Sequence, residues 1–551
     1  MERDFEKLGR EPFDLLIVGG GITGATLAWD AALRGLKVAL VDKGDFAMAT
    51  TSASSKLIHG GLRYLKNGEV GLVRESLRER RILQKIAPHL VWPIPFLMPT
   101  HKKGGNKRWM IKAGMMVYDM LSFDRGRLDD PARRIPGHCM LKPEKVLEEE
   151  PVVKPEGLTG GAVYYDCRCE PERLCLEFIL GAAAQGATVV NYAEVTSLLR
   201  GEGTVEGAEV VDRLGGGSCR VRARMVANVA GPWADAIDVL SGAEDEITLR
   251  RSKGIHIITR RLVRKHAVVA MTDERRHFFI IPWRQHSLIG TTDTEYRGHP
   301  DDLAVLDEDV DRFIAEINQA LPAAALKPED VLYRYVGVRP LVDDETEVYD
   351  ASRKYEIVDH HDKGLRGYIT ALGGKYTTSR NLAAKAADKI LSRLKKPKTA
   401  CVTEERLLPG GVEGIFSGYE RKSCEEAGGL IDKDALRNLI WTYGARHLEV
   451  LELVKRDASL GERVRDDRLE ILAQVAFSIR HEMAFTLCDI LTRRTGIGTL
   501  GHPGEEALDK VCALAARLLG WDPRRIAAEK KVYLDKIRGL PEPLSPAEES
   551  E

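Results

Sequence analysis

The sequence predicts an α/β protein: a dinucleotide-binding βαβ domain carrying a second, antiparallel sheet, followed by an all-helical C-terminal domain. Three observations predict it. A glycine turn, Gly19-Gly20-Gly21-Ile22-Thr23-Gly24, lies between two apolar strand-like runs and is followed by an acid at Asp42. Residues 254–292 are rich in β-branched and aromatic side chains in short runs. Residues 430–538 keep a helical period with little strand signal.

The first strand is Phe13-Asp14-Leu15-Leu16-Ile17-Val18, and the helix after the turn stops at Gly35. Lys37-Val38-Ala39-Leu40-Val41-Asp42 is the second strand. Glycines let the backbone approach a pyrophosphate at a helix N-terminus, where unpaired N–H groups attract anions. Asp42 stands where a carboxylate accepts hydrogen bonds from a ribose. The plain alternative is a glycine-rich turn without a ligand. Thr50-Thr51-Ser52-Ala53-Ser54-Ser55 follows, a hydroxyl-rich stretch suited to phosphate and ribitol oxygens. His59-Gly60-Gly61 then allows the backbone close to a flat ring.

Residues 70–87 read as a helix whose charge run, Arg74 to Arg81, is a solvated face. Pro88, Pro93, Pro95 and Pro99 mark an irregular extended connection. Residues 107–123 are unusual. Arg108, Lys112, Asp119 and Ser122 form a narrow polar stripe on an otherwise bulky apolar helix, with Lys102, Lys103 and Lys107 upstream. A helix lying in a membrane interface and a helix buried in the core account for this equally well. Further strands are expected at 187–192, 208–212 and 224–229, the last running into Asn228-Val229-Ala230-Gly231-Pro232-Trp233. Ile369-Thr370-Ala371-Leu372-Gly373-Gly374-Lys375 is another strand and glycine turn, with a helix over 383–394. Leu408-Pro409-Gly410-Gly411 reads as a linker to a separate helical domain, and the acidic tail 541–551 as disordered.

With 551 residues, two or three domains are expected. A formal net charge of −1 gives no general electrostatic reason to bind nucleic acid. No uncharged apolar run is long enough to span a bilayer, and the charged N-terminus lacks the apolar core of a signal peptide, so the expected location is cytoplasmic. Nine scattered cysteines suit reduced thiols, and Cys167, Cys169 and Cys175 lack the paired spacing and nearby histidine of a metal site. No metal is expected.

Five ordered motifs carry a resemblance. Ser54-Ser55-Lys56-Leu57-Ile58-His59-Gly60-Gly61-Leu62-Arg63-Tyr64, Asn228 to Trp233, Gly290-Thr291-Thr292-Asp293, Gly337-Val338-Arg339-Pro340 and Gly373-Gly374-Lys375-Tyr376-Thr377-Thr378 resemble the signatures of FAD-dependent, quinone-linked glycerol-3-phosphate dehydrogenases. Arg480-His481-Glu482-Met483 and Asp489 to Arg494 fit the same family, so the likeness covers nearly the whole chain. The family usually has Glu at Asp42, and its paired acids after Tyr-x-Asp-Cys are replaced here by Glu170-Pro171-Glu172.

The resemblance implies a glutathione-reductase-like FAD domain with an antiparallel substrate cap, related to D-amino-acid oxidases. It implies an oxidoreductase domain over 12–400, with cap segments at roughly 80–150 and 240–345, and a helical domain over 405–540. The implied reaction oxidises sn-glycerol 3-phosphate to dihydroxyacetone phosphate, with hydride leaving C2 for N5 of FAD and electrons passing to membrane quinone. The implied location is the inner face of the cell membrane, held to its anionic surface through the basic, apolar segment 101–123. A homodimer is compatible with the sequence. The implied FAD contacts are Gly19, Gly21, Ile22, Thr23, Gly24, Asp42, Lys43, Thr51, Ser52, Ser54, Ser55, Lys56, Leu57, His59, Gly60, Gly61, Ala230, Gly231, Trp233, Gly373, Gly374, Lys375, Tyr376 and Thr377.

A phosphate dianion needs cations with directed donors, which points to Arg63, Arg339, Arg353 and Lys375, with Tyr64 beside them. The hydroxyl proton needs a base, for which His59 and His256 are the candidates, while Lys375 or Arg339 can stabilise developing negative charge. Two other readings use the same motifs: a soluble oxidase that passes electrons to oxygen, and a non-catalytic dinucleotide-binding sensor.

Overall fold

The computed structural model describes residues 1–102, 107–242, 249–342 and 354–537. Arg353, Lys103 and the tail 541–551 therefore lie outside the described residues.

Apolar runs that can be buried on both faces make the centre of the first, eight-stranded sheet. Phe13–Val18 pairs in parallel with Val38–Val41 on one side and with Ser218–Asn228 on the other. Thr188–Val190 extends one edge and Tyr368–Gly373 the other, both in parallel. Tyr355–Asp359 closes the second edge antiparallel. Helices Ile22–Leu33, Pro171–Ala184 and Ser379–Arg393 share one core on one face of this sheet. The antiparallel strands Ala193–Gly201 and Thr204–Asp212 pack with the other face through Val195, Leu198, Val205 and Val210.

The second sheet has ten strands. Leu249–Thr259, His286–Gly290, His277–Trp283 and Ala267–Met271 form a meander, and Val331–Val342 pairs with Leu249–Thr259. All these pairings are antiparallel, as expected for a cap. A short parallel joint, Ala267 with Phe96, connects them to the long pair Val91–His101 and Leu158–Cys169.

Two expectations from the sequence need correction here. The proline-rich stretch is the regular strand Val91–His101 rather than an irregular connection. Pro93, Pro95 and Pro99 share one parity, so their missing donors fall on one strand edge while Ile94, Phe96, Met98 and Thr100 keep donors for the other. The helix Val70–Ile86 forms as expected, but its charge run is not a solvated face. Glu79 and Arg80 are fully buried, paired with Arg380 and Asp166.

The C-terminal helices Phe416–Glu426, Lys433–Tyr443, His447–Arg456, Leu472–His481, Glu505–Leu519 and Pro523–Lys536 pack on one another. They are not a detached body. Their core runs without a break into Phe96, Tyr164, Trp283 and Tyr333 of the second sheet. Leu408 and Gly410 of the expected linker are buried, and the Gly410 N–H donates to Glu177 at 2.6 Å.

Helix Arg108–Leu121 departs from one of the two alternatives left open by its sequence. Only Met115 and Tyr118 are buried, so it is not a core helix. Three members of its polar stripe turn inward: Arg108 donates to the Leu141 and Thr159 carbonyls, Asp119 accepts from His138, and Ser122 is buried against Arg80, while Lys112 is exposed. Trp109 (69% exposed), Met110, Met116, Val117, Met120 (67%) and Phe123 face outward. Among the described residues no helix is long and apolar enough to cross a membrane.

Candidate active site

The site begins at the glycine turn. A Cβ on Gly19 (φ 115°) would stand 2.7 Å from the Val229 carbonyl oxygen, so the first strand ends backbone against backbone beside Ala230. The following loop wraps the turn. Asp42 Oδ2 accepts the Gly20 N–H at 2.6 Å, and its Oδ1 accepts the Gly44 N–H at 2.9 Å. The Ala47 N–H donates to the Gly20 carbonyl at 3.1 Å, and Thr51 Oγ1 accepts the N–H of Ile22, the first residue of the helix, at 3.0 Å. Burial pushes the Asp42 carboxyl up to about 6, against the two backbone donors, and the nearby Asp45 charge adds to the rise. Asp45 itself is completely paired with Arg493 and Arg494. Burial works against its ionisation, and the two guanidiniums overcome it, holding the carboxyl down at about 2.

A cavity of about 1260 Å³ runs from this turn between the two sheets. That exceeds the upper end of ordinary small-molecule sites, so it has room for an extended dinucleotide and a small substrate together. Gly19, Gly21, Ile22, Thr23, Asp42, Lys43, Thr51, Ser54, Ser55, Leu57, His59 and Gly61 all line it. So do Ala230, Gly231, Trp233, Gly373, Gly374, Lys375, Tyr376 and Thr377. The residues fit FAD: a helix N-terminus for its phosphates, and two successive left-handed glycines, Gly373 (φ 69°) and Gly374 (φ 85°), where backbone can approach a ring.

Four residues expected at the cofactor do not line the cavity. Lys56 points away into a buried pair with Glu172 at 2.5 Å. Ser52 turns its hydroxyl back onto the Ala49 carbonyl. Gly24 packs helix against turn, since a Cβ there would meet the Gly19 oxygen at 1.8 Å. Gly60 donates its N–H to Asp166 at 3.0 Å and has Tyr118 and Leu77 against its α-carbon. Conversely, Ala193, Val195, Thr196, Arg213, Ile237 and Leu240 line the cavity at the far end of the turn and were not anticipated. Their signal is weak, because a strand edge that faces a ligand has the same alternating text as one that faces solvent.

The polar centre gathers side chains from distant segments. Lys375 Nζ donates to Ser76 Oγ at 3.0 Å and lies 4.0 Å from the Tyr64 ring centroid. Burial and the Arg63 charge push its ammonium down to about 7. Burial, Lys375, Arg63 and Arg80 push His59 down to about 3. His256 is buried, stacks on Tyr335 and shares a 2.8 Å hydrogen bond from Nε2 with Ser55 Oγ. Its imidazolium is disfavoured by burial and by the charges of Arg339 and Lys56. Arg339 is fixed by Ser252 Oγ at 3.1 Å and Thr291 Oγ1 at 2.7 Å, with Asp293 at 3.5 Å. Arg63, Tyr64, Arg339, Lys375, His59 and His256 therefore border one space.

Beneath Gly60 lies a buried ion pair that carries no obvious sequence signal. Asp166 accepts from Arg80, from Tyr118 Oη at 2.8 Å and from the Gly60 N–H. Burial raises its pKa and Arg80 opposes the rise. Cys167, next in sequence, is buried with its thiol pushed up to about 12, which keeps it protonated.

Comparison with known proteins places the chain. A family model described as FAD dependent oxidoreductase matches residues 14–380, and one described as the C-terminal domain of alpha-glycerophosphate oxidase matches residues 401–526. The chain is 37% identical over 547 residues to a glycerol-3-phosphate dehydrogenase of Synechocystis, covering 96% of this chain and 97% of that one. It is 34% identical to an aerobic glycerol-3-phosphate dehydrogenase of Staphylococcus aureus, covering 95% and 94%. The crystal structure of the glycerol-3-phosphate dehydrogenase from Bacillus halodurans complexed with FAD superposes with a TM-score of 0.79 at 28% identity, covering 98% and 97%.

Proposed function

Because the chain belongs to the family of FAD-dependent glycerol-3-phosphate dehydrogenases, we propose that it oxidises sn-glycerol 3-phosphate to dihydroxyacetone phosphate and delivers the electrons to membrane quinone. FAD, when bound, supplies the hydride acceptor. The observation that carries the reading is the meeting of Arg63, Arg339 and Lys375 around the cavity that also contains the dinucleotide turn.

The protein groups divide the work. Arg339, already oriented by Ser252 and Thr291, binds the phosphate without having to be ordered first. Arg63 at the exposed side draws the dianion in. Lys375, poised near neutrality, takes the hydroxyl proton as its amine and holds it as ammonium. The two imidazoles are weaker proton acceptors, since burial disfavours their charged forms. His256 and Ser55 instead present a neutral hydrogen-bonded pair that orients the alcohol. The oxidoreductase domain spans 12–400 and the helical domain 405–540.

Helix Arg108–Leu121 favours quinone over oxygen as acceptor. Arg108, Asp119 and Ser122 face the protein and most of its bulky apolar side chains face outward, the reverse of a helix on a water-facing surface. Lys107 and Lys112 flank that apolar face, as expected for an anionic bilayer surface on the inner side of the cell membrane. The other side of the helix, through Ile111, Gly114 and Met115, walls the cavity that contains Lys375. A lipid-soluble acceptor would thus meet the catalytic space from the membrane side.

Anaerobic addition of glycerol 3-phosphate should bleach the flavin absorbance, and turnover with a short-chain quinone should exceed peroxide formation in air. A flavin that stays oxidised would remove the catalytic reading. Peroxide as the main product would replace quinone by oxygen.

A further inference from the structure

The helical domain reaches the cofactor loop through two consecutive arginines. Asp489–Arg494 is a π-helical turn, and Arg493 and Arg494 both point from it onto one carboxylate of the oxidoreductase domain, that of Asp45. Arg493 Nε donates to Asp45 Oδ2 at 2.6 Å. Arg494 donates from Nη1 to Oδ2 at 2.8 Å and from Nη2 to Oδ1 at 2.7 Å. Asn191 adds a fourth donor to Oδ1 at 3.0 Å and also bonds the Met483 carbonyl. Asp489 holds Arg493 from behind, and accepts from Tyr192 Oη at 2.7 Å and from the N–H groups of Phe485 and Thr486. All four ionised side chains on this junction, Asp45, Asp489, Arg493 and Arg494, are buried.

Asp45 sits in the middle of the loop that folds over the dinucleotide turn. Three residues before it is Asp42, on the Gly20 and Gly44 N–H groups. Next to it is Phe46, whose ring lies where a Cβ on Gly20 would be, at 2.6 Å. Two residues after it is Ala47, whose N–H returns to the Gly20 carbonyl. Lys43, Ala47 and Met48 of this loop line the cavity. A shift of Asp45 is therefore a shift of the turn itself.

We propose that the helical C-terminal domain acts as a clamp on the FAD site, with Arg493 and Arg494 as positioning residues that lock the 42–51 loop through Asp45. The two arginines touch no reacting atom. They fix the carboxylate, the carboxylate fixes the loop, and the loop gives the glycine turn the shape that receives a dinucleotide. A buried ion pair broken on one side leaves an uncompensated charge, so the loop cannot simply stay in place when an arginine is lost. This inference rests on the chain's FAD site and not on the identity of its substrate.

The test is FAD affinity of the full-length protein, measured by flavin fluorescence on reconstitution with no substrate present. R493Q and R494Q should each raise the FAD dissociation constant on the order of tenfold or more, the scale seen when an outer-layer partner of a bound group is lost. D45N in the R494Q background removes the orphaned charge and should recover most of that loss. E482Q is the control. It removes only the carboxylate that Arg173 and Arg446 share, which joins the same two domains without touching Asp45, and it leaves in place the Glu482 backbone carbonyl that accepts from Arg494 at 3.1 Å. It should lower the melting temperature while leaving FAD affinity within about twofold of wild type. Unchanged FAD affinity in both arginine variants would overturn the proposal. So would an equal loss in E482Q, because the domains would then matter to the cofactor only through general docking.

Discussion

An ammonium that leaves water and sits beside Arg63 gives up its proton near neutrality instead of near its ordinary value. The sign for catalysis follows. Lys375 works as a base only when neutral, so kcat/KM should rise with pH through about 7 and level off above it. Lys375→Met should abolish that limb and lower kcat by about 10²–10⁴-fold. A profile that keeps its limb in the variant would move the base elsewhere. The sequence placed Lys375 at the site as a stabiliser of negative charge, offered His59 and His256 as candidates for the base, and left the choice open. The motif positions of His59 and His256 were readable. Their burial was not, because Lys375 and Arg80 reach His59, and Arg339 and Lys56 reach His256, from other segments of the chain. Lys56 illustrates the same limit. It stands in a motif full of cavity residues, yet its φ of 54° turns it toward Glu172.

Helix Arg108–Leu121 is the element whose sequence could be read two ways, because a narrow polar stripe looks the same facing in or facing out. Its inward Arg108, Asp119 and Ser122, with bulky apolar side chains left outside, rule out the core reading. Burying its outward side chains in lipid is worth about 1–2 kcal/mol each for Trp109, Met116, Met120 and Phe123, with about 1 kcal/mol more for each lysine near an anionic surface. Trp109→Glu with Met120→Glu should therefore reduce binding to vesicles containing phosphatidylserine at least tenfold, as read by co-sedimentation. Turnover with a water-soluble dye should be preserved, since neither residue borders the reacting centre. Vesicle binding equal to wild type would free this helix of its membrane role. The strand Val91–His101 and the charge run of helix Val70–Ile86 were misread for related reasons. Proline density reports lost donors without telling which edge loses them, and a charge run reports polarity without telling which members find partners inside.

At the scale of the whole molecule the two sheets, the glycine turn and the helical C-terminus were all legible, since each has its own period. What joins them was not. The core passes unbroken from the second sheet into the helical domain, with Trp92 and Trp441 ring centroids 4.1 Å apart, and the expected linker is buried between them. Calorimetry of the apoprotein should accordingly give one cooperative unfolding transition, whereas two separated transitions would restore the picture of independent domains. Such contacts link residues hundreds of positions apart, and periodicity within one segment carries no record of them.

The turn at Gly61 has a consequence for how this site can change over evolutionary time. A methyl group there would lie 2.7 Å from the Lys375 amine and 2.5 Å from the Tyr64 ring. The floor of the reaction chamber is thus closed to even the smallest innovation. Its ceiling, where Arg339 is steered by two short hydroxyl side chains, Ser252 on the neighbouring strand and Thr291 just past the end of His286–Gly290, can be rebuilt one substitution at a time. New substrates would be acquired from that side.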